Sequence, residues 1–80
     1  MTQEEIVAIS RKLGRAQKRV ILSLSADFGR AADHQAAKRL WWRDDIPLLL
    51  DHRHQTGNCW QLRPLGLRVR AILEKEPNHE

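Results

Sequence analysis

Four side chains between residues 35 and 42 have the chemistry needed to read the edges of nucleic-acid bases. They are Gln35, Lys38, Arg39 and Trp42, and on a helix they fall within about 100° of arc. Glutamine and arginine present paired donors or acceptors that match adenine and guanine, and Arg43 just beyond is placed to hold a phosphate. The pattern predicts a binding face. The alternative is a solvated face on which Trp42 folds onto a neighbour.

A second polar set lies in the last third of the chain. Arg53 and His54 precede the turn residues 56–58, and Arg63 follows residues 59–62, in which apolar and polar side chains alternate. We expect these three side chains to face a partner from a polar hairpin, with Arg53 and Arg63 on phosphates.

The same region raises the question of a metal site. His52, His54 and Cys59 are ligand types suited to zinc, and a fourth ligand would have to be Asp51 or His34. The spacing matches no structural zinc pattern, so we predict neither a metal nor another cofactor.

Catalytic motifs are missing from the sequence. It has no Gly-rich phosphate loop or nucleophile elbow, no Tyr and one Cys. Asp44 and Asp45 are adjacent acids near a predicted helix start, where capping explains them. We therefore do not expect an enzyme.

Charge is concentrated in the body of the chain. The formal net charge is +4, but residues 11–70 hold 13 Lys and Arg against 5 Asp, a net charge of +8. Ten of the fourteen bases are Arg, which chelates phosphate through two parallel hydrogen bonds. This balance favours a polyanionic partner.

The remaining composition is that of one small domain. No apolar run approaches the roughly 18 residues of a membrane span, and Glu4 and Glu5 stand where a secretory signal would carry bases. A single cysteine agrees with a reducing compartment. We expect a cytoplasmic protein with one domain over residues 1–76 and a disordered tail over 77–80.

Capping and periodicity predict a mainly α fold with a two-stranded β-hairpin. Thr2 and Glu5 form a capping-box pattern, Gly14 ends the first helix, and Asp33 caps the third. Alternation places Trp60 and Leu62 on the inner face of a strand. The predicted helices cover residues 3–12, 15–25, 34–42, about 44–51, and 64–75.

Three segments carry a resemblance to a known family. They are residues 17–24 (QKRVILSL), residues 36–40 (AAKRL) and residues 60–66 (WQLRPLG), and the order is three helices, a hairpin and a helix. The chain resembles the winged helix-turn-helix family over roughly residues 15–75. The resemblance implies double-stranded DNA binding, usually as a dimer, in a transcriptional regulator of bacterial or phage type.

Residues 44–51 occupy the usual position of the recognition helix in that family. They read DDIPLLLD, and carboxylates facing a phosphate-lined groove are repelled. We therefore expect the preceding helix, with Lys38 and Arg39, to be the reading element. Arg11, Arg15 and Lys18 would add a phosphate-tracking stripe if the first two helices were continuous; otherwise they form a solvated face.

Two further expectations concern partners. Apolar residues on the first helix (Ile6, Ile9, Leu13) and the last (Leu65, Val69, Ile72, Leu73) suggest a homodimer, unless they pack on the core of one chain. The alternative to DNA binding is a protein-interaction adaptor or inhibitor built on the same scaffold.

Overall fold

The computed structural model describes residues 2–53 and 59–75. The elements along the chain are α1 (Gln3–Lys12), α2 (Arg15–Ser23), α3 (His34–Trp42), β1 (Leu50–Arg53), β2 (Cys59–Leu62) and α4 (Pro64–Lys75). A mainly helical chain with a two-stranded antiparallel hairpin is confirmed. The predicted turn at 56–58 and the tail at 77–80 lie outside the described residues.

Local sequence signals account for the helix starts. The Thr2 hydroxyl accepts a hydrogen bond from the backbone N–H of Glu5, and the Glu5 carboxylate accepts one from that of Thr2, as the capping box predicts. The Asp33 carboxylate accepts one from the Ala36 N–H. Between α1 and α2, Leu13 and Gly14 are extended, so the two helices are separate.

The second helix is shorter than predicted. It ends at Ser23 instead of Ser25, because the carbonyl of Ser25 accepts a hydrogen bond from the N–H of Leu62. Gly29 then forms an antiparallel bridge with Trp60. The chain after α2 is therefore extended where it hydrogen-bonds to β2. A helical backbone could not make these hydrogen bonds.

The core lies between the helices and the inner face of the hairpin. In β2, Trp60 is 0% exposed and Leu62 is buried beside it, so the predicted inward alternation is confirmed. Across the hairpin Leu50 pairs with Leu62 and His52 with Trp60. α1 and α2 both pack against α4, and α3 contacts α2 and β1.

The predicted short helix at residues 44–51 is wrong. Residues 44–49 are bends and irregular chain, and β1 begins at Leu50. Ile46 and Leu49 are nevertheless buried, and the carbonyl of Leu49 accepts a hydrogen bond from the N–H of Arg63. A segment this short forms too few internal hydrogen bonds to offset helix nucleation, so the tertiary contacts of Leu49 decide its conformation.

The apolar residues assigned to a homodimer interface pack within one chain. Six of them are buried and Leu65 is half-buried, because α1 lies directly against α4. These residues therefore leave no surplus apolar surface on α1 and α4, and the homodimer stays a prediction without that support. Among the described residues, no helix combines the length and the apolar character needed to cross a bilayer.

Candidate nucleic-acid interface

Helix α3 has the two faces predicted for it. Ala36, Ala37 and Leu40 are buried, whereas Gln35 and Arg39 are exposed. Lys38 and Trp42 share the outer face with these two residues. The packing of the alanines holds α3 close to α2 and β1 and leaves the polar face directed outward.

The outer face of α3 has unused hydrogen-bonding capacity. Gln35, Lys38 and Arg39 make no side-chain hydrogen bond or ion pair with any residue in the described ranges 2–53 and 59–75. The ammonium of Lys38 lies 5.0 Å from the centre of the Trp42 ring, a cation–π contact within the face. This arrangement leaves an amide and two cations for an external partner.

Trp42 and Trp41 have different surroundings. Trp42 is 67% exposed and does not fold into the core. Its ring stacks on Trp41, with centroids 6.2 Å apart. Trp41 is only half-buried, but its ring lies edge-on to Trp60 at 6.0 Å and packs against the core. The aromatic series therefore runs from the core to the protein surface.

A groove of about 430 Å³ separates the start of α2 from the outer face of α3. Its walls combine three arginines with two glutamines and one acid. The lining residues are Gly14, Arg15, Ala16, Gln17, Asp33, Gln35, Ala36, Arg39 and Arg43. With three Arg against one Asp, the lining side chains carry a net charge of +2, so the groove suits an anion.

Arg43 is engaged inside the protein. Its guanidinium makes two hydrogen bonds to the Asp45 carboxylate, at 2.8 and 2.6 Å, and donates to the Lys12 carbonyl and to Gln17 Oε1. These hydrogen bonds, which Arg43 donates to the Asp45 carboxylate, raise the pKa of Arg43 and lower the pKa of Asp45. Arg43 was expected to hold a phosphate, but in the structure its guanidinium is bonded to other residues of the same chain.

The hairpin arginines also have partners. Arg63 forms an ion pair with Asp51 at 2.8 Å, and both side chains are a little over two-fifths exposed. The guanidinium carbon of Arg53 lies 4.2 Å from the centre of the Phe28 ring. These contacts hold the two cations near the protein surface but occupy part of their binding capacity. His54 lies outside the described residues.

The metal candidates do not converge in the described part of the chain. Among residues 2–53 and 59–75, no group of three His, Cys, Asp or Glu side chains could hold a metal ion. His52 instead stacks on Trp60, and His34 Nδ1 accepts a hydrogen bond from the Trp60 indole at 3.4 Å. These two histidines thus surround a core tryptophan.

The groove itself was not predicted from the sequence. The sequence predicts for Arg15 either a stripe with Arg11 and Lys18, if the helices were continuous, or a solvated face, whereas in the structure Arg15 lines the same groove as Arg39. Since the two arginines belong to different helices, only the packing of α2 against α3 brings them together. The local sequence indicates only that α2 begins after Gly14, which places Arg15 in the first turn of that helix.

Comparisons with known proteins give no neighbour. No family model, no curated protein and no solved structure matches this chain.

Proposed function

We propose that this protein binds double-stranded DNA through the outer face of α3, as a small winged helix-turn-helix regulator of bacterial or phage type. The observation that carries the proposal is the unpaired polar face of α3, with Gln35, Lys38 and Arg39 available to a partner. Side chains of these types recognise base edges and phosphates.

Charge and element order support the proposal. The net charge of +8 over residues 11–70 favours a polyanion, and the order of three helices, hairpin and helix agrees with the resemblance. The irregular chain at 44–49 leaves no helix in the usual recognition position. The reading role therefore falls to α3, which is the helix immediately before it.

The test is fluorescence anisotropy with a labelled random duplex over a series of KCl concentrations. We expect binding that weakens steeply with salt, because phosphate contacts release counterions. Lys38→Ala should lower the affinity, whereas the matched control Lys75→Ala, which removes the same charge from the exposed end of α4, should have a smaller effect. Absence of duplex binding by the wild-type protein would refute the proposal.

A protein partner is the second candidate, and exposed apolar side chains favour it. Trp42 is 67% and Leu48 is 44% exposed, in a domain whose other large apolar side chains within the described ranges are buried or half-buried. Asp44, which lies between them in the sequence, would repel DNA but suit a basic partner. Indifference to duplex in the anisotropy assay supports this adaptor or inhibitor function.

A further inference from the structure

The three arginines of the groove between α2 and α3 differ in their pairing. Arg43 is neutralised by Asp45, with which it shares two hydrogen bonds. Arg15 and Arg39 are exposed, and neither makes a hydrogen bond or ion pair with a residue that the structure describes. Two uncompensated guanidinium groups thus line one concave surface from two different helices.

We infer that this groove holds one phosphate of the DNA backbone, with Arg15 and Arg39 as its ligands. The inference rests on the proposed function and changes the role of Arg39 from reading a base to fixing the DNA backbone. A guanidinium offers paired donors that match phosphate oxygens, and two of them in one groove can hold a tetrahedral anion from two sides.

The groove divides the outer face of α3 into two parts with different roles. Gln35 and Arg39 line the groove, but Lys38 and Trp42 do not. A phosphate held by Arg39 would fix the position of α3 along the duplex and leave Lys38 and Trp42 to contact bases. Asp33 also lines the groove, but its carboxylate accepts a hydrogen bond from the Ala36 N–H at 3.1 Å, and the charges of Arg15 and Arg39 together outweigh it.

The fixed Arg43 side chain makes the groove rigid on one side. Its links to the Lys12 carbonyl and to Gln17 join the end of α1 to the start of α2. Because Gln17 lines the groove next to Arg15, this wall is held in place before any ligand binds. A preformed wall lowers the ordering cost of holding a phosphate.

The experiment compares Arg15→Ala and Arg39→Ala with Arg68→Ala, a matched loss of one exposed arginine on α4. Anisotropy is measured with the same duplexes between about 50 and 200 mM KCl, a range over which the loss of phosphate contacts strongly changes the affinity. We expect each groove variant to reduce the slope of log affinity against log salt by about 1 and to weaken binding roughly tenfold on every sequence. Arg68→Ala should do neither.

Two conservative variants and a selection experiment complete the test. Arg15→Lys and Arg39→Lys should keep the salt slope but lose affinity, since lysine retains the charge without the paired donors. Selection from a random duplex pool should return the same preferred sequences for the wild type and for Arg39→Ala. Circular dichroism checks folding, which exposed side chains without internal partners should not affect.

The outcomes separate this inference from the proposed function. If Arg39→Ala changes the preferred sequence but not the slope of log affinity against log salt, Arg39 reads a base. That result would overturn the inference but leave the proposed DNA binding intact. A second contrary outcome would be that inorganic phosphate binds the wild type but not Arg15→Ala by ³¹P NMR, while both proteins bind duplex equally. The groove would then bind free phosphate instead of the DNA backbone, which overturns the inference. Failure of the wild type to bind any duplex overturns both.

Discussion

The imidazole of His52 stacks on the indole of Trp60, with ring centroids 4.1 Å apart and planes inclined by 23°. The two residues are cross-strand partners in the hairpin, and the indole N–H of Trp60 donates to His34 on α3. Trp60 therefore connects the hairpin to α3 through one ring.

We predict that Trp60→Ala unfolds the domain. Trp60 is 0% exposed, and its removal leaves a large cavity that should cost about 3 to 5 kcal/mol, most of the stability of a small domain. Thermal melts followed by circular dichroism give the result. Trp42→Ala is the matched control and should melt near the wild-type temperature, because its ring is mostly exposed. A folded Trp60→Ala protein would contradict the inward packing of β2.

Gly66 is predicted to tolerate no side chain. A Cβ atom at this position in α4 would collide with the backbone carbonyl oxygen of Leu49 and press against the Leu62 side chain. Gly66→Ala should therefore destabilise the fold by about 1 to 3 kcal/mol. Gly29→Ala, where no heavy atom lies within 4 Å of the added carbon, is the control. Urea denaturation of both variants measures the difference, and equal midpoints would refute the close approach.

The Arg43–Asp45 pair predicts a dependence of stability on acid pH. The hydrogen bond from Arg43 lowers the pKa of Asp45 in the folded state below its value in the unfolded chain. The stabilisation is therefore present above the unfolded pKa of about 3.9 and is lost as the pH falls through the lower folded value.

We expect the Asp45→Asn variant to be less stable than the wild type at pH 7 and to approach it near pH 2. Asp44→Asn, next to it and exposed, is the control. Thermal melts from pH 7 to pH 2 record the difference, which should be modest because Asp45 is largely solvated. A constant difference at all pH values would exclude the ion pair as its cause.

Because Asp51 holds Arg63 in an ion pair, we predict that removing the Asp51 charge increases the affinity for DNA. Asp51→Asn removes the carboxylate that holds Arg63 at 2.8 Å, so Arg63 becomes available to a phosphate. If the proposed function is correct, duplex affinity should rise about two- to fivefold and the salt slope should increase. Asp27→Asn makes the same charge change at another exposed site. Equal gains from both variants would show a general charge effect without a role for Arg63.

Local patterns were sufficient to predict α1, α3, α4 and the inner face of β2. Thr2 with Glu5 located the start of α1, and the period of two placed Trp60 and Leu62 inside, because each signal acts over a few residues. Residues 44–51 show the limit of such signals. Their apolar spacing and capping acids fit a helix, but contacts of Leu49 with Arg63 and Gly66 determine the observed path.

The candidate site was predictable only in part. The outer face of α3 follows from helical periodicity, so Gln35, Lys38 and Arg39 were located correctly on it. The pairing of Arg43 with Asp45 and the placement of Arg15 and Arg39 in one groove depend on how the helices pack and on side-chain competition for hydrogen bonds. Neither effect has a signal in residue spacing.

The Gly29–Trp60 bridge has a consequence for self-association. The side of β2 that faces away from β1 is hydrogen-bonded within the chain, since the Leu62 N–H donates to the Ser25 carbonyl and Gly29 and Trp60 exchange two backbone hydrogen bonds. A strand from another molecule therefore cannot add there. In the described part of the hairpin, the open edge belongs to β1, which carries Asp51 and Arg53. Charged side chains at a short edge strand oppose edge-to-edge pairing with a second molecule.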